Sequence, residues 1–564
     1  MWSMWTRSRP RRRPRSKRTS CATAVFPPPP GTGMRRAIRS SVDKPRARTA
    51  SALLEEMAAL QPDHECVVDG GRRWSYVRLL AESQTIANGL WALGVRPGDR
   101  VAILMGNRAE WLSSYFAILG LGATAVALNT WLTPPEQAYQ LNHAEVTTLI
   151  LAARFRHRDV LAELEEMRAV IPGGLPALAR LVVLGDRVSG GATSFADLAP
   201  IGETAPSGIW GAAKPDDVAC ILYTSGSTAW PKGVPLQHWG LIDNMWQIGE
   251  RMHLGPDDRL WFAVSLFWSF GCVNALFAML SHGGTMVLQH HFEAGEALRL
   301  IEGERCTVFY GTPNIALALA EHPDRARHDL SSLRTGAAIG TPEQMRMIVD
   351  LGAKDICNVY GLTEAYGNSA VTDANAPVAQ RLVASGAPLE GVELVILELE
   401  TGAPMPQGEV GEIALRGHVM LGYLNDPRTT AASMTDDGFF LTGDLGLLDD
   451  AGWVQYQGRR KELIKSGGIN IAPAEIEVAL GSHAAIASVF VTGLDDARLD
   501  QAIGAVVVLH PGQSATEDEL RRHCRRSLAA YKVPHHFIFV AANELPVTST
   551  EKLQRNRLYE LFAT

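Results

Sequence analysis

The densest run of chemistry-bearing residues in the 564-residue chain is Y-T-S-G-S-T-A-W-P-K-G-V, residues 223–234. It follows an apolar run (Val218, Ala219, Cys220, Ile221, Leu222) that reads as a strand. Its backbone N–H groups can turn inward as a nest around Gly226, while the hydroxyls of Thr224, Ser225, Ser227 and Thr228 and the ammonium of Lys232 add donors; that is equipment for holding a polyphosphate. It is not a Walker A loop, because Lys232 follows Pro231 and is not followed by Ser or Thr. The same residues would also serve in a plain surface loop between strands, so the remainder of the chain has to decide.

Three further stretches could belong to the same site. T-G-A-A-I-G (335–340) follows the strand-like start of its segment and can let a flat base approach the backbone. V-Y-G-L-T-E-A (359–365) combines the aromatic face of Tyr360, a tight turn at Gly361 and the carboxylate of Glu364, a hard oxygen suited to magnesium beside a polyphosphate. L-T-G-D-L-G (441–446) sets Asp444 between glycines, where a carboxylate can accept from two vicinal hydroxyls such as a ribose presents. Taken singly, each has an ordinary structural reading: Glu364 as a helix-start charge, Asp444 as a turn former, Arg459 as a surface residue.

The elements that must position these residues are legible from pattern. A helix is expected over 51–60, a hairpin over 67–74 turning at Asp69–Gly70, and a helix over 76–93. Then come a strand within 98–107, a helix over 109–120, a strand over 123–129, a helix near 135–141 and a strand over 147–151. Such alternation implies βαβ units and parallel sheets, and it resumes from 216 to about 370. Short glycine-punctuated strands at 392–397, 409–417 and 453–458 suggest a small β subdomain. The last hundred residues form another compact unit, with helices at 474–480 and 517–530 and strands at 487–491 and 502–509. The fold class is therefore α/β: a large N-terminal domain of parallel sheets plus a small β subdomain (49–458), then a small mobile α+β domain (459–564).

Composition sets outer bounds. At 564 residues, more than one domain is expected. Seven cysteines without paired spacing read as reduced, buried thiols in a cytoplasmic protein. Residues 1–48 hold 14 Lys and Arg against one acid, Asp43, leaving 39 basic and 59 acidic residues in the rest. An acidic body argues against nucleic acid as the main partner. The tail, 1–48, reads as disordered, as an organelle transit segment, as a start assigned upstream of Met34, or as an arm for an anionic surface such as a membrane periphery. The apolar stretch 264–280 is shorter than the roughly 20 residues of a spanning helix and reads as buried strand, turn and helix.

In order and spacing, five motifs resemble the adenylate-forming enzymes, which include acyl-CoA synthetases, adenylation domains of non-ribosomal peptide synthesis and beetle luciferases. They are the loop at 223–234, Y-G-L-T-E (360–364), T-G-D (442–444), G-R-R-K-E-L-I-K-S-G-G (458–468) and P-V-T-S-T-E-K-L-Q-R (546–555). The resemblance covers about residues 50–560. It implies a ligase that uses ATP and Mg²⁺ to convert a carboxylic acid to an acyl-adenylate, then forms a thioester with CoA. By the same resemblance, Thr224, Ser225, Gly226, Ser227, Thr228 and Lys232 would hold the β- and γ-phosphates, with Thr228 and Glu364 serving the metal. Gly336, Ala337, Tyr360, Gly361 and Thr363 would flank the adenine and its phosphates, and Asp444 and Arg459 would bind the ribose. Lys552 would bridge the substrate carboxylate and the α-phosphate. Lys461 would be the hinge about which the small domain turns, presenting Gly467 and Gly468 to the CoA thiol.

Two positions depart from the family pattern: Ala229, followed by Trp230, stands where glycine is usual, as does Glu551 before the lysine. The acyl pocket is expected from Phe267, Trp268, Phe270, Tyr310, Gly311 and Ala338. Trp268 occupies the place of the aspartate that pairs with the α-ammonium in amino-acid-activating relatives. An unpaired ammonium there would be costly, so the expected substrate is a fatty or other apolar acid without an α-amino group. Alternatives are an acyl-AMP ligase loading an acyl carrier protein and a non-catalytic protein retaining the fold.

Overall fold

A computed structural model describes residues 43–170, 174–186, 188, 190–224, 231–466, 469–471, 473–496, 499–526, 528, 532–548 and 553–563. All of these lie in one compact unit, Ser40–Thr564.

Two large sheets form the N-terminal domain. The nine-stranded sheet has a parallel centre of six strands, in spatial order Asp355–Tyr360, Thr335–Ala338, Val308–Gly311, Arg259–Phe262, Thr285–Leu288 and Glu65–Asp69. In the seven-stranded sheet, the parallel strands Val218–Thr224, Thr124–Ala127, Arg100–Leu104, Thr148–Ala152, Arg180–Leu184 and Thr193–Ser194 lie side by side, and Lys232–Gln237 closes one edge antiparallel. Strands such as Thr148–Ala152 are buried at every position, the condition that produces continuous apolar runs instead of alternation.

The pleat divides the core. Val101 and Ile103, with Val67, Leu260 and Phe262, enter one cluster shared by both sheets and built around Trp111, Tyr115, Phe116 and Phe277. Their neighbours Val68, Trp261 and Ala263 face a second cluster, and Ala102 and Leu104 a third, because successive side chains of a strand point to opposite faces.

An antiparallel sheet of four strands follows, Val392–Leu397, Gly411–Gly417, Phe440–Leu448 and Val454–Arg459. The C-terminal sheet contains Ile464–Ser466, Ile469–Ile471, Ile486–Asp496, Asp500–Leu509 and His536–Phe539, backed by the helices Pro473–Gly481 and Glu517–Cys524. The Glu517 helix starts in a capping box from Thr516 and Glu519 and ends at Cys524, short of the 517–530 span expected.

Three other expectations are corrected. Residues 264–268 are not a strand: the strand ends at Phe262 and a π-helix, Ser269–Ala275, leads into the helix Leu276–Ser281. Gly271 makes the fold-back possible, since a Cβ there would lie 2.5 Å from the Ser265 carbonyl oxygen. Thr335–Ala338 is itself the strand and does not follow one. The basic tail does not run free to residue 48: Lys44 and Arg48 pair with Asp243 at 2.7 and 3.4 Å, and the N–H groups of Arg46 and Ala47 donate to Glu56 at 3.0 and 2.8 Å. Residues 1–42, which carry the rest of the tail, lie outside the described residues. The six described cysteines are buried free thiols, and among the described residues no helix is long and apolar enough to cross a membrane.

Candidate active site

The carboxyl ends of the parallel strands point one way in each sheet, the position where open α/β sheets bind ligands. At this end Tyr360 closes its strand, and Gly361 turns the chain so tightly that a Cβ would come within 2.2 Å of the Gly367 carbonyl oxygen. The Tyr360 hydroxyl donates to Asp444 Oδ2 at 2.9 Å. Asp444 lies directly across the antiparallel ladder from Arg459, whose Nε is 2.7 Å from Oδ1. That pair is electrostatic without hydrogen-bond alignment, and Oδ1 has no hydrogen-bond partner. Oδ1 is thus buried and ion-paired, with hydrogen-bonding capacity that the protein does not use.

Burial pushes the Asp444 carboxyl up to about 6; Arg459 and the Tyr360 hydrogen bond pull it down, while Glu364 and Glu462 push it up. Burial also holds the Tyr360 phenol well above its ordinary value. Tyr456 stacks near Tyr360, ring centres 6.2 Å apart. Thr442 braces the turn by accepting from the Asp444 N–H at 3.0 Å and donating to the Ile413 carbonyl at 2.7 Å.

A second chain of contacts starts four residues from Tyr360. Glu364, buried in a short 3₁₀ turn (Thr363–Ala365), accepts from the Tyr423 hydroxyl at 2.9 Å. Above the Tyr423 ring sits Lys232 Nζ, 4.6 Å from its centre. Lys232 begins the strand after the Ser/Gly/Thr loop and pairs across the hairpin with Thr224. The structure therefore brings together Lys232, Tyr360, Glu364, Asp444 and Arg459, drawn from four separated motifs. Thr363 stands beside them and donates to Ser269 Oγ at 3.1 Å.

The strand Thr335–Ala338 is placed differently from its expected role. Gly336 is glycine because the neighbouring strand occupies its side-chain space: with φ of +146°, a Cβ would lie 1.8 Å from the Phe309 carbonyl oxygen. Ala337 is buried on the face shared with Tyr310, so it is Ile339 and Gly340, past the strand end, that reach the surface. Ala338, expected in the acyl pocket, faces the opposite side with Trp261, Phe309 and Met345; strand alternation excludes it from a pocket that Tyr310 lines. The space beside Gly311 is taken by Phe309 and Ile315. Tyr310 is fully buried, donates to Asn274 Oδ1 at 2.9 Å and packs on Phe270 at 4.9 Å.

Phe267 and Trp268 meet a residue from the other large sheet. Trp131, just beyond the strand Thr124–Ala127, lies edge-on to both, at 5.5 and 6.3 Å. Trp268 is 37% exposed and Trp131 40%, so this aromatic group forms a rim and not a sealed interior. Ser225, Gly226, Ser227, Thr228, Gly467, Gly468 and Lys552, with Ala229, Trp230 and Glu551, lie outside the described residues. The backbone of Lys461 is in the 3₁₀ turn Arg460–Glu462, between the last strand of the four-stranded sheet and the first strand of the C-terminal sheet.

Tyr423 and Trp131 carry no signal in the sequence. Each sits in a stretch without unusual spacing, and only its position opposite another motif gives it a role. An open cavity of about 530 Å³, lined by Arg73, Asp257, Arg259 and Glu304, lies at the amino ends of the parallel strands, away from this constellation.

A mixed α/β body with a small C-terminal sheet, and a buried aspartate and glutamate near a half-buried lysine, is the arrangement of a nucleotide-dependent acid-activating enzyme. The AMP-binding enzyme family model matches residues 54–424 and its C-terminal domain model residues 475–552; the chain belongs to the AMP-binding enzyme family. It is an acid–thiol ligase that activates a carboxylic acid with ATP and forms a thioester with CoA. It is 35% identical to a feruloyl-CoA synthase of Amycolatopsis sp over 90% of this chain and 97% of that one. The anthranilate CoA ligase AuaEII in complex with anthranoyl-AMP superposes with a TM-score of 0.79 at 30% identity, covering 91% of this chain and 97% of the other. ATP-bound MatB from Rhodopseudomonas palustris gives 0.78 at 28%, covering 91% and 99%.

Proposed function

We propose that the acid is apolar or aromatic and lacks an α-amino group. The observation that carries this reading is the rim Trp131–Phe267–Trp268 beside the nucleotide constellation, with Trp268 where an ammonium-binding relative would need a carboxylate. Relatives act on acids of related character, as the names feruloyl-CoA synthase and anthranilate CoA ligase state.

Asp444 and Arg459 bind the ribose hydroxyls, using the Oδ1 that faces Arg459 without a hydrogen bond. Tyr360, Gly361 and the strand end after Ala337 flank the base. Lys232 and the hydroxyls of the 223–234 loop hold the β- and γ-phosphates, offsetting charge as a carboxylate attacks the α-phosphorus. Lys552 bridges the two reacting anions, the small domain turns about Lys461, and Gly467 and Gly468 meet CoA.

A magnesium ion fits the donors present. Among the described residues no group of three or more His, Cys, Asp or Glu could cage a metal. Mg²⁺ instead favours one or two carboxylates plus substrate phosphates. Glu364 supplies such a carboxylate, with one oxygen on Tyr423 and no hydrogen bond on the other among the described residues. Bound there with Thr228, the ion would neutralise phosphate charge.

Pyrophosphate release over a panel of acids, with and without CoA, tests the reading. Stimulation by aromatic or fatty acids and not by amino acids is expected. AMP formation indifferent to every acid overturns it, and thioester formation only on a holo-carrier protein replaces CoA as the acceptor. Lys552→Ala should abolish adenylation.

A further inference from the structure

The short turn between the two domains is fastened on both sides, and the fastening on the large-domain side also holds the nucleotide turn. Glu412, in the strand Gly411–Gly417, is 4% exposed. Its Oε1 accepts the N–H of Gly443 at 3.0 Å, in the turn that carries Asp444. Its Oε2 pairs with Arg460 Nη1. The other Arg460 nitrogen, Nη2, donates to the Leu399 carbonyl at 2.9 Å. One carboxylate thereby joins a strand, the Asp444 turn and the start of the interdomain turn.

Arg459 and Arg460 are consecutive and point opposite ways, as a strand end requires. Arg459 goes to Asp444 and Arg460 to Glu412, so the backbone is tied to the large domain through residue 460. On the far side Glu462 faces Arg555 Nε at 3.9 Å, and Arg555 is bidentate to Glu477 of the C-terminal helix Pro473–Gly481 at 2.7 and 2.8 Å. Anchors of opposite allegiance stand one residue to each side of Lys461.

We infer that Glu412 is a positioning residue: its pairing with Arg460 confines domain rotation to the backbone at Lys461, and its bond to Gly443 couples that pivot to the grip of Asp444 on the nucleotide. The inference rests on the proposed roles of Lys461 and Asp444. A buried carboxylate that loses its arginine is left uncompensated, so the tie has two arrangements only, made or broken, which suits a hinge that must swing about one point. If the tie is absent, rotation spreads over neighbouring residues and the pose that accepts CoA is less populated.

The test separates the half-reactions in the full-length enzyme: pyrophosphate release without CoA, and thioester formation from preformed acyl-adenylate plus CoA. Glu412→Gln retains an acceptor for Gly443 but loses the charge facing Arg460. It should leave the KM for ATP within about twofold while slowing thioester formation about fivefold or more. Glu412→Ala removes both contacts and should raise the KM for ATP as well, and Arg460→Lys should fall between wild type and Arg460→Ala in the thioester step. Equal losses in both half-reactions accompanied by a lowered Tm would reduce Glu412 to a structural role and overturn the inference, as would Glu412→Ala and Arg460→Ala variants indistinguishable from wild type. Wild-type enzyme inactive on every acid would sink the proposed function instead. Lys461→Pro with undiminished thioester formation would remove the hinge reading alone, leaving the ATP KM of Glu412→Ala to test the bond to Gly443.

Discussion

The hydroxyl of Tyr360 donates to Asp444 Oδ2 across 2.9 Å, and this bond joins the carboxyl end of a parallel sheet to the four-stranded antiparallel one. It occupies one oxygen of a buried carboxylate and leaves the other facing Arg459 without a hydrogen bond. Tyr360→Phe should free the second oxygen without supplying a partner. The KM for ATP is expected to rise about tenfold, one lost charge-assisted bond being worth roughly 1.5–3 kcal/mol, with kcat less affected. Initial-rate kinetics of pyrophosphate release measure both.

The protonation of Asp444 sets a pH dependence. The folded carboxyl holds its proton up to about 6, against an ordinary value of 3.8, so the folded state binds more protons than the unfolded between these limits. The associated stability is complete below pH 3.8 and is lost as pH rises through 6, roughly 3 kcal/mol in all. Asp444→Asn should remove this component, which urea midpoints of both proteins at pH 4 and pH 7 will reveal. In the proposed ribose-binding role the ionised carboxylate is the stronger acceptor, so the wild-type KM for ATP should fall as pH rises through about 6. In Asp444→Asn it should be high and flat.

Tyr423 holds Glu364 and lies under Lys232. Tyr423→Phe keeps the ring and removes the hydroxyl. The Mg²⁺ concentration giving half-maximal adenylation should rise several-fold, roughly the value of one hydrogen bond to a charged group. Titration of activity with Mg²⁺ at saturating ATP reads this directly.

Trp131, past the strand Thr124–Ala127, and Trp268, just before the π-helix, make the aromatic rim with Phe267. Trp131→Ala should weaken an aromatic acid substrate by about tenfold or more in KM, since burying such a side chain against a ligand is worth on the order of 1.5–3 kcal/mol. The KM for ATP should not change. An acid-panel comparison that showed equal effects on ATP would remove Trp131 from acid recognition.

Gly336→Ala should be severely destabilising, because its Cβ would meet the Phe309 backbone, which has no side chain to swing aside. A loss above 4 kcal/mol is rare for single substitutions and belongs to clashes of this kind. Chemical denaturation, or failure to recover soluble protein, measures it.

Much of the architecture follows from local pattern. The helix at Ala109–Gly120 and the strands at Arg100–Leu104, Val392–Leu397 and Val454–Arg459 lie where apolar runs, alternation and turn residues place them. Boundaries moved where tertiary packing outranked local preference, as at the π-helix Ser269–Ala275, which exists because Gly271 admits the Ser265 carbonyl. The chemistry-bearing types at Lys232, Glu364, Asp444 and Arg459 stand out in the sequence because they lie in short glycine- and hydroxyl-rich stretches; the structure brings them together.

Residue type and spacing along the chain thus determined the kind of chemistry and the elements that carry it. Only the tertiary structure decided which partners those residues have. Sheet register placed Asp444 opposite Arg459, and the pleat turned Ala338 away from Tyr310. The packing of turns and loops beyond separate strands brought Tyr423 to Glu364 and Trp131 to Trp268. Distances along a chain do not encode such meetings. Burial of two sheet faces against one shared core does, and with it the setting of Asp444 between Tyr360 and Arg459.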